Sequence, residues 1–398
     1  MMKLVAAVGL LACALSVAGC PKPHEEMQFP MPAKDYEAPL PPGEQALRRI
    51  VDPAQVPDFT QACRDTSALR ESIGFSLDYL AKPSSAAFYP CGDISRDRAV
   101  ASLRAFLALL DSALPAERMS EAIRQKFDVY ISVGCDQRGT VLFTCYYTPI
   151  FSASLVRTDR FRYPIYNQPP DLVKMPDGTP RTPLPDRRAI EQSDMFAGRE
   201  LAWLADPFEV YVAHIQGSVR LRLPDGREIT AGYAANNGHE YKSVRAELVA
   251  DGKIGKRDGL PAMIRYFRQH PAEVQAYTWR NPRFIFFSVV EDGRPRGCLN
   301  EPVTARRSIA TDKSIFPRGC LALLATTLPA RRGGEIVDLP VSAFALDQDS
   351  GGAIRAPGRC DLYLGMGDEA GELAGRAQNE GKLYYLFLKP QAAASAGG

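Results

Sequence analysis

Apolar residues recur at helical spacing over residues 59–128 of this 398-residue chain, and the period then changes to two. Ser95 precedes a run through Val100, Leu103, Phe106, Leu107 and Leu110, the pattern of an amphipathic helix with a serine N-cap. A second helix is predicted over 115–127. From Phe127, Val129, Ile131 and Val133 fall on alternate positions, and 140–147 follows Gly139, which predicts a hairpin. Residues 164–206 are rich in Pro and Asp and read as loop. Strands are predicted at 208–215, 219–223 and 228–233, with Pro224-Asp225-Gly226 as the turn between the last two. Helices follow at 243–252 and 259–277, then short strands at 284–290, 306–310, 320–326, 335–346, 361–364 and 383–388. The pattern is that of a mainly β, α+β chain with a helical N-terminal part.

Composition sharpens this picture in three places. Thirty-one Gly and 32 Pro favour short strands and turns over a long-helix bundle. Lys+Arg 48 against Asp+Glu 46 leaves a net charge of +2, which offers no electrostatic ground for a nucleic-acid partner. Lys3, the apolar stretch Leu4 to Val17 and the closing Val17-Ala18-Gly19-Cys20 read as a secretory signal whose end resembles a bacterial lipobox. On that reading residues 1–19 are a signal peptide and Cys20 is the lipid anchor. The alternatives are a short buried helix or an ordinary signal with an incidental cysteine. Residues 20–45 form a Pro-rich tether, spanning up to roughly 80 Å at about 3.1 Å per residue. Pro21 after the cysteine favours, by analogy with lipoproteins, an outer-membrane protein facing the periplasm.

Leaving aside Cys13 and Cys20, seven cysteines remain, an odd number, so at least one is not bridged within the chain. With no C-x-x-C and four scattered histidines, neither a metal nor another cofactor is expected. G-x-S-x-G, P-loop, G-x-G-x-x-G and H-E-x-x-H motifs are all missing. His239 reads as a general base or as a loop histidine, and Tyr146-Tyr147 as a sugar-stacking platform or a strand edge. The densest chemistry lies in 345–367, where Asp347, Asp349 and Asp361 stand among glycines and apolar strand residues. Carboxyls beside apolar strands acquire raised pKa values, as a general acid requires; the same spacing also suits turns with local Asp hydrogen bonds.

Several segments, in order, resemble the membrane-bound lytic murein transglycosylase A (MltA) family. They include Phe143-Thr144-Cys145-Tyr146-Tyr147-Thr148-Pro149, Gln216-Gly217-Ser218 and Gly232-Tyr233-Ala234-Ala235-Asn236-Asn237-Gly238-His239-Glu240-Tyr241. Asp349-Ser350-Gly351-Gly352-Ala353-Ile354 and Cys360-Asp361-Leu362-Tyr363-Leu364-Gly365 complete the series. Cys145 stands where the family usually has Gly. The resemblance implies a double-psi β-barrel built from 46–155 and 262–390, a smaller β-domain inserted at 156–261, a groove between them, and a flexible tail at 391–398.

It also implies a lytic transglycosylase acting on peptidoglycan glycan strands, with Asp361 as the catalytic residue and Asp349 and Asp347 in support. Thr144, Tyr146, Gln216, Gly217, Ser218, Tyr233, Asn236, His239 and Tyr241 are the expected substrate contacts. The expected partners are the glycan and, through the anchor, the membrane; cell-wall synthesis or division proteins stay open. The tether is expected to be passive, so that a chain begun near residue 45 keeps its activity. A glycan-binding lipoprotein without turnover and a peptide-binding scaffold are the alternatives.

Overall fold

The structure is a computed structural model that describes residues 34–175, 178–256 and 258–390; Cys20, the signal, the start of the tether and the 391–398 tail lie outside these. The short strand β1 (Leu47–Arg49) precedes four helices: α1 (Thr60–Cys63), α2 (Leu69–Ala81), α3 (Arg96–Asp111) and α4 (Ala116–Lys126). As the sequence predicts, the Ser95 hydroxyl caps α3, accepting from Arg98 N at 3.1 Å. Strands β2 (Phe127–Ser132) and β3 (Val141–Thr148) follow. Then come β4 (Ile150–Ser154), β5 (Tyr163–Tyr166), α5 (Arg187–Glu191), β6 (Glu200–Leu204), α6 (Pro207–Gln216), β7 (Ser218–Arg222) and β8 (Glu228–Asn236). Helices α7 (Val244–Ala250), α8 (Leu260–Gln269) and α9 (Val274–Thr278) lead to β9 (Ile285–Val290). The chain closes with β10 (Ser308–Ala310), β11 (Leu321–Arg332), β12 (Glu335–Asp349), β13 (Arg359–Met366), α10 (Gly367–Ala374) and β14 (Asn379–Leu388).

Six strands form a closed ring in the order β3, β14, β11, β12, β10, β13 and back to β3. The pairs β10–β12 and β13–β3 are parallel and the others antiparallel, which is the double-psi barrel expected. β2 and β1 extend the sheet from β14. Helices α1 to α4 cover the barrel, and Phe59, Phe106, Phe127, Phe143, Leu323 and Phe344 belong to one buried cluster. Phe106 meets Phe344 edge to face with ring centroids 5.0 Å apart.

The second sheet has the order β5-β6-β4-β7-β8-β9. Its strands run from Ile150 to Val290 and so lie on both sides of the expected 156–261 insert.

Four sequence expectations are corrected. Residues 208–215 form helix α6 and not a strand. Asp206 caps the helix, Pro207 occupies its first turn and Gly217 ends it at φ 74°. Its Phe208, Tyr211 and Val212 enter one apolar cluster and Val210 and Ala213 another, so burial on two sides erases the amphipathic signature. The 164–206 stretch holds β5, α5 and β6, short elements hidden among prolines and aspartates. β2 and β3 do not form a hairpin: β14 lies between them, pairing Leu388 with Phe127 at one end and Asn379 with Phe143 at the other. The 259–277 helix breaks into α8 and α9 around Pro271, which lacks the N–H needed to continue.

The end of the expected tether is also part of the folded body. The Tyr36 hydroxyl donates to Glu380 at 2.6 Å, Glu37 pairs with Arg359 at 2.9 Å and Leu40 packs against the barrel cluster. Those contacts tie residues 36–40 to the barrel, so this end of the expected tether is not a free spacer.

Candidate active site

Asp361 lies on β13, whose parallel neighbour β3 places Thr144 directly opposite it. The Thr144 hydroxyl donates to Asp361 Oδ1 at 2.9 Å. Because alternate strand residues share a face, Arg359, Asp361 and Tyr363 of β13 stand alongside Thr144 and Tyr146 of β3. Burial pushes the Asp361 carboxyl up to about 6; the Arg359 cation and the Thr144 hydroxyl oppose that rise, and the Asp349 charge adds to it.

Asp349 ends β12 in quite different surroundings. Its Oδ2 accepts from the Tyr146 hydroxyl at 2.7 Å, and its Oδ1 accepts from Cys298 N at 2.9 Å and Ser350 N at 2.8 Å. Burial raises its pKa, while these donors pull the other way. Asp347 is fully buried behind the groove, ion-paired with Lys313 and accepting from the Thr311 and Tyr385 hydroxyls at 2.7 Å each. It holds the barrel wall together and does not line the groove.

The groove encloses about 1570 Å³ between the barrel and the second sheet. Tyr146, Asp349 and Asp361 line it from the barrel, and Gln216, Tyr233 and Tyr241 from the inserted part. The Gln216 side chain accepts from Tyr147 N at 3.1 Å, bracing α6 against β3. Gly217 and Ser218 also line the groove, and Ser218 Oγ lies 3.0 Å from Thr148 Oγ1. Asn236 is 3% exposed and donates to the Tyr233 hydroxyl at 2.7 Å, so it orients a groove tyrosine more than it offers its own amide.

His239 is not among the groove-lining residues. Its Nε2–H donates to Leu184 O at 2.8 Å and its carbonyl accepts from Arg283 at 3.0 Å. The loop reading of this histidine holds, and the general-base reading is dropped. Cys145 packs with apolar neighbours and likewise lies outside the groove lining, so its side chain does not crowd the site. None of the seven described cysteines forms a disulfide.

Two residues that the sequence reading passed over complete the site. Arg359 stands two positions before Asp361, the spacing that puts both on one face of a strand, and that spacing could have revealed it. Cys298 contributes a backbone donor from a loop, for which no sequence pattern exists.

A sequence model of the MltA specific insert domain matches residues 142–288, and one of the 3D domain matches 307–387. Membrane-bound lytic murein transglycosylase A of Escherichia coli (strain K12) is 32% identical over 268 residues, covering 67% of this chain and 70% of that protein. The chain belongs to the membrane-bound lytic murein transglycosylase A family. The family's Vibrio cholerae protein is 26% identical over 260 residues, covering 64% of this chain and 68% of that one. A solved membrane-bound lytic murein transglycosylase from Agrobacterium tumefaciens superposes with a TM-score of 0.71 at 27% identity, covering 86% of this chain and 98% of that one. E. coli MltA with bound chitohexaose has a TM-score of 0.67 at 24% identity, covering 90% and 98%, and shares the fold.

Proposed function

We propose that this chain cleaves the β-1,4 bond between N-acetylmuramic acid and N-acetylglucosamine in peptidoglycan, leaving a 1,6-anhydromuramic end. The supporting observation is the asymmetry of the two groove carboxyls. Both oxygens of Asp349 are occupied by donors, whereas among the described residues only the Thr144 hydroxyl donates to Asp361. Glycoside hydrolysis ordinarily uses two carboxyls, one of them to engage water or the sugar. Here only one is disposed to move a proton, which suits an intramolecular reaction.

In that reaction protonated Asp361 gives its proton to the glycosidic oxygen as the C1–O bond breaks, and the bond pair leaves with N-acetylglucosamine. The muramic C6 hydroxyl oxygen forms the new bond to C1, and its proton passes to the Asp361 carboxylate. Asp361 ends as it began, and no water is consumed. A carboxyl pushed up to about 6 suits both halves of this cycle. Tyr146, Gln216, Gly217, Ser218, Tyr233 and Tyr241 are the proposed sugar contacts, their phenol and amide groups suiting hydroxyl and N-acetyl groups and their rings suiting pyranose faces.

The family membership supports murein as substrate, and the names of its curated relatives support membrane association. On the same reading Cys20 carries the lipid and the enzyme faces the periplasm from the outer membrane. Incubating the Asp361→Asn variant with purified murein sacculi tests the chemistry. Loss of anhydro-muropeptides by mass analysis, with glycan binding retained, is expected; near-normal turnover would rule Asp361 out.

A further inference from the structure

Residues 35–45 connect the proposed anchor to the barrel, yet they also reach the groove. Leu40, Glu44 and Gln45 line it. The Tyr36 carbonyl lies so close to Gly358 that a Cβ there would sit 2.5 Å from it and 2.8 Å from Cys135 Cβ. Only glycine lets the two backbones approach in this way. Gly358 immediately precedes β13, so the segment docks at the start of the strand that carries Asp361.

The docking brings a charge with it. Glu37 Oε1 lies 2.9 Å from Arg359 Nη1, and Arg359 Nη2 lies 3.4 Å from Thr144 Oγ1, the hydroxyl that donates to Asp361. Four residues thus form a chain from Glu37 through Arg359 and Thr144 to Asp361. The Arg359 side chain is 12% exposed, and among the described residues its Nε has no hydrogen-bond partner and Glu37 is the only carboxylate within ion-pair distance. A cation so enclosed depends on its one anionic partner for place and for charge balance.

We propose that the segment leading from the anchor is part of the catalytic apparatus. Glu37 holds Arg359, and Arg359 acts as a positioning residue that sets the orientation and electrostatic surroundings of Thr144 and Asp361. The inference rests on Asp361 being the proton carrier. The charged and titratable groups facing Asp361 are Arg359 on its own strand, Cys145 and Tyr146 on β3, Asp349 on β12, and neighbouring Cys360. Arg359 is the cation among them, so what neutralises it acts on Asp361.

The test is the pH dependence of kcat/KM for anhydro-product release from sacculi, using the full chain in detergent. Replacing Glu37 leaves the Arg359 charge uncompensated, which favours ionised Asp361. The basic limb of Glu37→Gln should therefore move to lower pH, by about half a unit because the Glu37 side chain is 58% exposed and screened. Arg359→Met should move the limb to higher pH, Arg359→Lys should restore it, and the double variant Glu37→Gln/Arg359→Met should match Arg359→Met alone. Raising ionic strength should shrink the Glu37→Gln shift.

A Glu37→Gln profile that coincides with wild type overturns this inference, as does the same Glu37→Gln shift with and without Arg359. A wild-type chain that releases no anhydro product overturns the reading beneath it, and this inference with it.

Discussion

The Thr144 hydroxyl meets Asp361 across a parallel ladder that pairs the two residues directly, 2.9 Å from oxygen to oxygen. A donor at that position favours the ionised carboxyl. Thr144→Val keeps the shape and removes the donor, so Asp361 should hold its proton to higher pH. The basic limb of the rate profile is expected to rise by up to about one unit. An unmoved limb would mean that the hydroxyl does not act on Asp361.

The first half of the proposed cycle needs Asp361 protonated. With its pKa at about 6, kcat/KM should level off below that pH and fall roughly tenfold per unit above it. Asp349→Asn removes a negative neighbour that raises Asp361, so its limb should lie below the wild-type one. A limb above wild type would show that Asp349 acts through structure and not through charge.

The same shift has a cost in stability. Below about pH 4 the carboxyl is protonated in folded and unfolded chains alike, and the shift costs nothing. As pH rises through about 4 to 6, the unfolded chain ionises while folded Asp361 keeps its proton, so the folded state loses ground. Asp361→Asn should therefore be more stable than wild type at neutral pH, by on the order of 1–3 kcal/mol, with the gap closing near about pH 4. Urea unfolding at the two pH values measures it. A gap that does not depend on pH would assign the effect to packing.

Truncation separates the two views of the tether. A chain begun at Asp35 retains Tyr36 and Glu37, whereas one begun at Ala46 loses both together with Leu40 and the groove-lining Glu44 and Gln45. The first should match the full chain on sacculi in detergent. The second should fold less stably and show at least a severalfold drop in kcat/KM. Equal activities would restore the passive spacer.

How much of this was legible in the sequence depends on how local the signal was. The α3 cap, the 219–233 hairpin and most C-terminal strands were readable because pattern and turn chemistry sit within a few residues of one another. α6 was misread because a helix buried on two sides carries the same Val, Tyr and Phe content as a strand. The β2–β14–β3 order was invisible because it joins residues some 250 positions apart. In the candidate site, Asp361 and Asp349 both line the groove, and the resemblance carries most of the weight in pointing to them. Within one motif the two polar residues part company in space: Asn236 lines the groove and orients Tyr233, whereas His239 stitches its loop to Leu184 and Arg283. Glu37, which pairs with Arg359, lies in a Pro-rich stretch whose composition argues for a free chain.

Closure of the ring has a consequence for how far a local lesion reaches. β3 enters the barrel early in the chain, but its two partners are β13 and β14, more than 200 residues later. The ring is shut by β14, the last of the described strands, which pairs with both β3 and β11. Without β14, β3 and β11 would present open edges, although β13 would still set Asp361 opposite Thr144. A chain cut before residue 379 would lose the strand that closes the barrel beside the site. Damage near residue 379 would thus reach Thr144, distant in sequence, through the shared edge of β3.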